Sequence, residues 1–158
     1  MDTIAAVLDR PWQSDRPALE RRPRTYSWDR FRRSVYKTGN LLRRHGVHEG
    51  STVVVSDTLE PETVLVLFAT GLLGSTVCFE PSQCADPKAV VGPTESLDAT
   101  AVPERTRKLG FGESPSDPAW AYFEGEMWAE NPAFPPVESY ADRPFLEGPS
   151  SWTQRETI

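Results

Sequence analysis

Three glutamates fall close together at Glu124, Glu126 and Glu130. Grouped carboxylates can ligate a hard cation, but on an exposed stretch they serve equally as a solvated acidic loop, and the second reading is preferred. Four side chains able to hold zinc are present: His45, His48, Cys78 and Cys84. His45 falls in the closing turn of a helical pattern and Cys78 inside a strand pattern, so each has a structural use and no metal site is expected. Nothing in the sequence brings Cys84 beside an imidazole, so a cysteine–histidine nucleophile is not expected either. The remaining acids are scattered and lack a partner base. No G-x-S-x-G, G-x-G-x-x-G or Walker pattern occurs. No catalytic residue is therefore assigned, and no cofactor is expected. A basic cluster, Arg21, Arg22, Arg24, Arg30, Arg32 and Arg33, has the chemistry to meet phosphate. The chain as a whole is acidic and has no recognised nucleic-acid module, so nucleic acid is not the expected partner.

The charge is distributed unevenly. Residues 1–50 hold 11 Lys and Arg against 6 Asp and Glu, whereas residues 51–158 hold 6 against 17, for a net charge of −6. The basic first third reads as solvated surface that complements the acidic remainder. With 158 residues, 38% hydrophobic and 25% charged, the chain suits one domain with a core of its own. Residues 1–24 alternate charges and prolines with no sustained apolar stretch, and two cysteines make no secreted disulfide framework. A cytoplasmic protein without a membrane span is expected.

The elements that must position these groups lie mainly in residues 25–80. Ser27 is a favourable N-cap, with Asp29 in the positive first turn. Phe31, Val35, Thr38 and Leu42 follow at spacings of four, three and four, which makes one buried stripe. Gly46 after Arg43 and Arg44 ends that helix. The β-branched run at residues 52–55 suits a strand buried on both faces. Pro61 then opens a helix that is apolar nearly all round, Gly71 within it implies close packing against the sheet, and residues 76–79 form the next strand. The loop at each strand's carboxyl end is where open α/β sheets receive ligands. That position makes the stretches 56–60 and 80–83 the candidate ligand region, with Ser56, Asp57, Glu80 and Gln83 as the candidate contacts.

Beyond residue 80 the pattern thins. Residues 89–91 read as an edge strand reached by an irregular loop, or as no parallel strand at all, because the preceding gap is too short for an ordinary crossover. A short helix is expected near residues 104–109 and a strand over 119–123. The last stretch is rich in proline and punctuated by Trp128, Phe134, Tyr140, Phe145 and Trp152. Disordered segments are poor in aromatics, so an extended tail is expected, with each aromatic filling a hollow. The expected organisation is a lead-in segment (1–24), an α/β domain (25–124) and an irregular tail packed on it (125–158). The fold class is α/β, with a small, mainly parallel sheet and flanking helices.

Several of these pieces together resemble the N-terminal subdomain of the adenylate-forming superfamily, which includes acyl-CoA synthetases. They are Thr25-Tyr26-Ser27-Trp28 and the helix after it, Gly46-Val47 followed by Gly50, Val53 to Val55, Pro61-Glu62, Gly71-Leu72-Leu73-Gly74, and Pro81. Asp117-Pro118-Ala119-Trp120-Ala121-Tyr122 resembles the strand before that family's phosphate loop, and residues 151–156 resemble the start of the helix after it. Between those markers the family places a loop rich in Ser, Thr and Gly that ends in a lysine. Small residues let backbone N–H groups reach the phosphates, and the lysine neutralises charge. This chain has Phe123-Glu124-Gly125-Glu126-Met127-Trp128-Ala129-Glu130-Asn131 there, bulky and acidic where the family is small and cationic. The family's later motifs are also missing.

The resemblance thus implies the fold without the activity: a truncated, degenerate relative with an interaction or regulatory role. The alternative is a module that still binds an adenylate or acyl-CoA, and any surviving activity would be of the AMP-forming acid:CoA ligase type. Partners implied are a full-length adenylate-forming ligase, or a second copy through a sheet edge.

Overall fold

In a computed structural model, residues 3–11, 14–135, 140, 142, 144–147 and 152–153 are described. The chain opens with a one-turn helix, α1 (Ile4–Leu8), whose N-cap Thr3 accepts from the Ala6 amide at 3.1 Å. The apolar ends of this turn, Ile4 and Leu8, are buried. Next comes an antiparallel hairpin, β1 (Pro17–Arg21) and β2 (Arg24–Ser27). The lead-in reading missed this hairpin, because the arginines and prolines at residues 16–24 suppress any alternation of apolar and polar residues.

Helix α2 (Trp28–Arg44) is capped as its sequence dictates. The Ser27 hydroxyl accepts from the Arg30 amide at 3.3 Å, and Gly46 follows the helix in the left-handed region at φ +89°. The stripe Phe31, Val35, Thr38 and Leu42 is buried, joined by Leu41. Strand β3 (Thr52–Val55) follows, then the apolar helix α3 (Pro61–Leu72) and strand β4 (Thr76–Cys78). A 3-10 turn at Pro81–Gln83 leads to β5 (Ala89–Pro93), after which come α4 (Thr94–Leu97), β6 (Arg107–Phe111), β7 (Ala121–Tyr122) and α5 (Phe123–Ala129). The described tail supplies β8 (Pro144–Glu147) and β9 (Trp152–Thr153).

The sheet runs β7-β6-β5-β3-β4-β8-β9. Its first six strands are parallel, and β9 returns antiparallel to β8. Two sequence expectations are corrected here. β5 is neither an edge strand nor non-parallel: it lies inside the sheet between β3 and β6. The chain crosses over β3 on the short irregular connection, so connection length alone did not decide pairing. Residues 107–111 form strand β6 rather than a helix, because Leu109 to Phe111 is buried beside β5 and register overrides local propensity.

The two faces of the sheet are packed differently, as the period of two along each strand requires. Val53 and Val55 of β3, with Val91 and Leu109, face the main core formed with α1, α2 and α3. Val54 and Val90 point to the opposite face, where Leu97 of α4 covers them together with Cys84, Val102 and Trp120.

The tail aromatics bind the outer shell of this core. Phe134 stacks on Tyr36 at 5.9 Å and lies over Gly39, where a Cβ would be 2.7 Å from its ring. Asn40 holds the same segment through its side-chain amide, donating to the carbonyls of Asn131 at 2.8 Å and Ala133 at 2.9 Å. Tyr140 sits against Gly74, and buried Phe145 packs onto Gly71 beside Ile4. Gly71 thus serves close packing, but against α1 and the tail strand. Trp128 departs from the expectation that each aromatic fills a hollow, being 71% exposed. The Trp152 side chain, Pro136, Pro149 and most of residues 151–156 lie outside the described residues. No described helix is long and apolar enough to cross a membrane.

Candidate functional site

Strand β3 connects to β4 on one side of it, whereas the chain then returns to β5 on the other. Between β3 and β5 the connections diverge, and in an open α/β sheet such a divergence leaves a crevice at the carboxyl ends of the strands. A cleft of about 640 Å³ lies there. Thr58 and Glu60 after β3, Thr94 and Glu95 after β5, and Gly112 and Glu113 after β6 line it.

Local hydrogen bonds fix these loops. Thr63 at the start of α3 ties down the loop after β3, through its hydroxyl at 2.8 Å from Thr58 Oγ1 and at 3.4 Å from the carbonyl of Ser56. Thr94 donates to the Glu113 carbonyl and packs so closely on Gly110 that a Cβ there would lie 2.2 Å from its Oγ1.

The cleft is strongly acidic. Glu60, Glu62, Glu95, Glu113 and Glu124 contribute to its lining, with Arg24 as the one cation among the lining residues. Arg24 is already engaged: its guanidinium grips Glu62 with both Nη atoms and donates from Nη2 to Glu60 Oε2 at 2.9 Å. Glu62, with its side chain 5% exposed, is the buried member of that pair. The hydrogen bond to Glu62 raises the Arg24 pKa above its ordinary value, against the opposing effect of burial. Burial, then the nearby Glu62 charge, pushes Tyr26 up. Glu124 is raised chiefly by burial, although the Gly112 amide donates to its Oε1 at 2.7 Å and partly offsets the shift.

The four candidate contacts named from sequence do lie at strand ends, but none lines this cleft. Ser56 follows β3, its hydroxyl pressed against Gly92, where a Cβ would lie 2.1 Å from Oγ. Asp57 is exposed in the same loop. Glu80 and Gln83 sit beyond β4, which pairs with β3, and both are exposed. Thr58 and Glu60 fall in the 56–60 loop named from sequence, whereas Thr94 and Gly112 escaped notice because β5 and β6 were not placed beside β3. Cys78 and Cys84 are joined in a disulfide bridging the 3-10 turn, so neither thiol is offered to a metal. Among the described residues no group of three His, Cys, Asp or Glu is arranged to hold a metal ion.

The stretch that the sequence resemblance sets against the family's phosphate loop forms a helix, α5, laid across α2. Phe123 is fully buried. Glu126 accepts from His45 Nε2 at 2.7 Å and Arg44 Nη2 at 3.1 Å, and Arg44 also pairs with Glu130 at 2.9 Å. Glu124 and Glu126 lie in the first turn, where the helix dipole favours negative charge. The three glutamates thus hold a helix in place instead of forming a solvated loop. On the other side of Arg24 and Glu62, a second groove of about 430 Å³ opens between α2 and α5.

Comparison with solved structures places this arrangement. Over 91% of the chain it superimposes on the anthranilate CoA ligase AuaEII in complex with anthranoyl-AMP, with a TM-score of 0.76 at 16% identity. ATP-bound MatB from Rhodopseudomonas palustris matches over 97%, again at 0.76 and 16%. A benzoate CoA ligase from Burkholderia xenovorans LB400 matches over 98%, at 0.72 and 15%. The chain has the adenylate-forming ligase fold. It spans about a third of the length of these enzymes: 31%, 35% and 35% respectively. The likeness to the ligase fold runs well past residue 81, through the part where the sequence pattern fades. No family model matches the chain, and no curated protein does.

Proposed function

We propose that this chain is a non-catalytic module built on the ligase fold, with an interaction or regulatory role. One observation carries the reading. The segment whose sequence position corresponds to the phosphate loop is the packed helix α5, with its carboxylates committed to Gly112, His45 and Arg44. To receive a triphosphate it would have to unwind, break those contacts and still present three carboxylates to the anion. Like charges at such range cost several kcal/mol at intermediate dielectric. The partner chemistry in keeping with this reading is a full-length adenylate-forming ligase or a second copy joined at a sheet edge, although β7 at one end of the sheet is only two residues long and so short an edge pairs poorly. Light scattering of the purified chain, alone and with such a ligase, tests both.

The second reading is residual binding of an adenylate or acyl-CoA. The crevice at the diverging connections favours some ligand there, and its acidic lining disfavours a phosphorylated one. Ser56, Asp57, Glu80 and Gln83, named from sequence for this reading, lie outside the lining of that crevice, whereas Thr58 and Glu60 of the loop after β3 belong to it. Calorimetric titration with ATP, AMP and acyl-CoA separates the two, since absence of heat at millimolar ligand removes the second. Acid-dependent pyrophosphate exchange by the purified chain would overturn the first. A cytoplasmic location belongs to the same proposal, and the Cys78–Cys84 bond counts against it, because reducing compartments keep such pairs open.

A further inference from the structure

We infer that the Cys78–Cys84 disulfide is a redox latch, whose reduction frees the loop between β4 and β5 and loosens the cover of the sheet face beneath it. The bond joins residues six apart in sequence. Cys78 ends β4 and is fully buried, and its parallel register with Val54 puts both side chains on the same face of the sheet. That face is the thinly covered one. Helices α1, α2 and α3 close the main face. On this side Val54 and Val90 lie under Leu97 of the four-residue α4, with Cys84, Val102 and Trp120 partly buried around them.

The loop is fastened at few points. Of residues 79–86, Pro81 and Cys84 are partly buried and all the others are exposed. The Gln83 and Cys84 amides donate to the Glu80 and Pro81 carbonyls, contacts internal to the turn. Among the described residues, one polar contact reaches from residues 80–86 beyond Cys78: the Asp86 carboxylate accepts from Arg105 Nε at 2.8 Å. Those two side chains are 63% and 74% exposed, and an ion pair so open to water holds little. Asp86 itself lies in the left-handed region at φ +51°, a conformation that persists where neighbouring structure imposes it. The chain is fixed again at Pro87, whose carbonyl accepts from Thr106 Oγ1 at 2.8 Å, and at Lys88, whose amide donates to the Thr52 carbonyl at 2.8 Å. Cutting the disulfide therefore loosens a bounded segment between two held ends.

The burial of the two cysteines sets the order of events with a small thiol such as glutathione as reductant. Its thiolate attacks Cys84 Sγ, the more exposed sulfur, and expels Cys78 as a thiolate that takes up the released proton. A second thiolate attacks the reductant's sulfur in the mixed disulfide and releases Cys84, which is protonated in turn. Two thiols become one disulfide, and two electrons and two protons pass to the cysteine pair. Excess glutathione disulfide runs the same steps backwards and closes the latch. No nucleotide and no partner chain enters, so the latch operates equally in a non-catalytic module and in one that binds an adenylate.

The experiment is amide-resolved hydrogen exchange of the intact isotope-labelled chain, in excess glutathione and again in excess glutathione disulfide. In the reduced chain the Gln83 and Cys84 amides should exchange about tenfold faster, while Lys88 and the α2 amides stay within about twofold. The Trp120 indole resonance should shift, and reoxidation should restore both readings. Cys84→Ser should show the fast pattern without reductant and stop responding to glutathione, with Cys84→Ala in its place if the serine variant does not melt cooperatively. Arg105→Gln in the disulfide-bonded chain should leave the Gln83 and Cys84 rates within about twofold, since the bond and not the ion pair fastens the loop. Circular dichroism melts of the reduced parent should remain cooperative. Equal exchange of Gln83 and Cys84 in the two states would overturn the inference, as would a bond that dithiothreitol opens and glutathione does not. A reduced chain that loses its cooperative melt would overturn it too, because the disulfide would then be a staple of the whole fold.

Discussion

Removing the Phe145 ring tests whether the tail is part of the folded unit. Phe145 is 1% exposed in β8, which pairs with β4, and its ring lies 3.1 Å from where a Gly71 Cβ would be. Phe145→Ala leaves a cavity bounded by α1 and α3, and truncations of this kind cost about 3–5 kcal/mol. A domain of this size is stable by only about 5–15 kcal/mol, so the loss is a large part of the total. With a urea slope of about 2 kcal/mol per molar, the midpoint should fall by roughly 1.5–2.5 M. Urea titrations followed by circular dichroism and tryptophan fluorescence read the shift, and the two signals should coincide. A fall of less than about 0.5 M with unchanged slope would mean that β8 is not docked and that the core closes without it.

Other perturbations address the polar centre. Glu62→Gln removes the buried partner of Arg24 and should destabilise by about 1–2 kcal/mol in the same assay; the loss is moderated because Arg24 is partly solvated and keeps Glu60. The raised pKa of Glu124 makes folding less favourable as pH rises from the ordinary carboxylate value through the folded one, since the unfolded chain ionises first. Glu124→Gln should therefore be more stable than the parent at neutral pH, with the gap closing as pH falls below the ordinary carboxylate value. A gap that widens on acidification would contradict the burial of that carboxyl. Alkylation of the denatured chain should label neither Cys78 nor Cys84 before reduction and both afterwards, by mass spectrometry.

The parts of the fold legible in the sequence are those where local chemistry and tertiary role agree. Ser27, the stripe from Phe31 to Leu42 and Gly46 specify α2 without outside help, and Pro61 with its apolar run specifies α3. Misreadings occurred where long-range pairing decides. The hairpin of β1 and β2 carries few apolar residues, and β5 and β6 take their roles from neighbours distant in sequence. The site followed the same division. Strand ends were correctly sought, and the loop after β3 held Thr58 and Glu60, but the cleft also belongs to β5 and β6, so Thr94 and Gly112 were out of view. The bulky, acidic character of residues 123–131 was visible from residue types alone. That the segment would fold as a helix pinned by Arg44 and His45 was not, because those partners lie about eighty residues earlier.

The most direct test of the central claim is an amide-resolved titration of the isotope-labelled chain with magnesium ATP, following residues 123–131. If α5 occupies the place of an anion cradle, these resonances stay fixed at millimolar nucleotide and keep their helical shifts. Saturable displacement of the Phe123–Ala129 amides, with loss of the Glu126 contacts to Arg44 and His45, would contradict it.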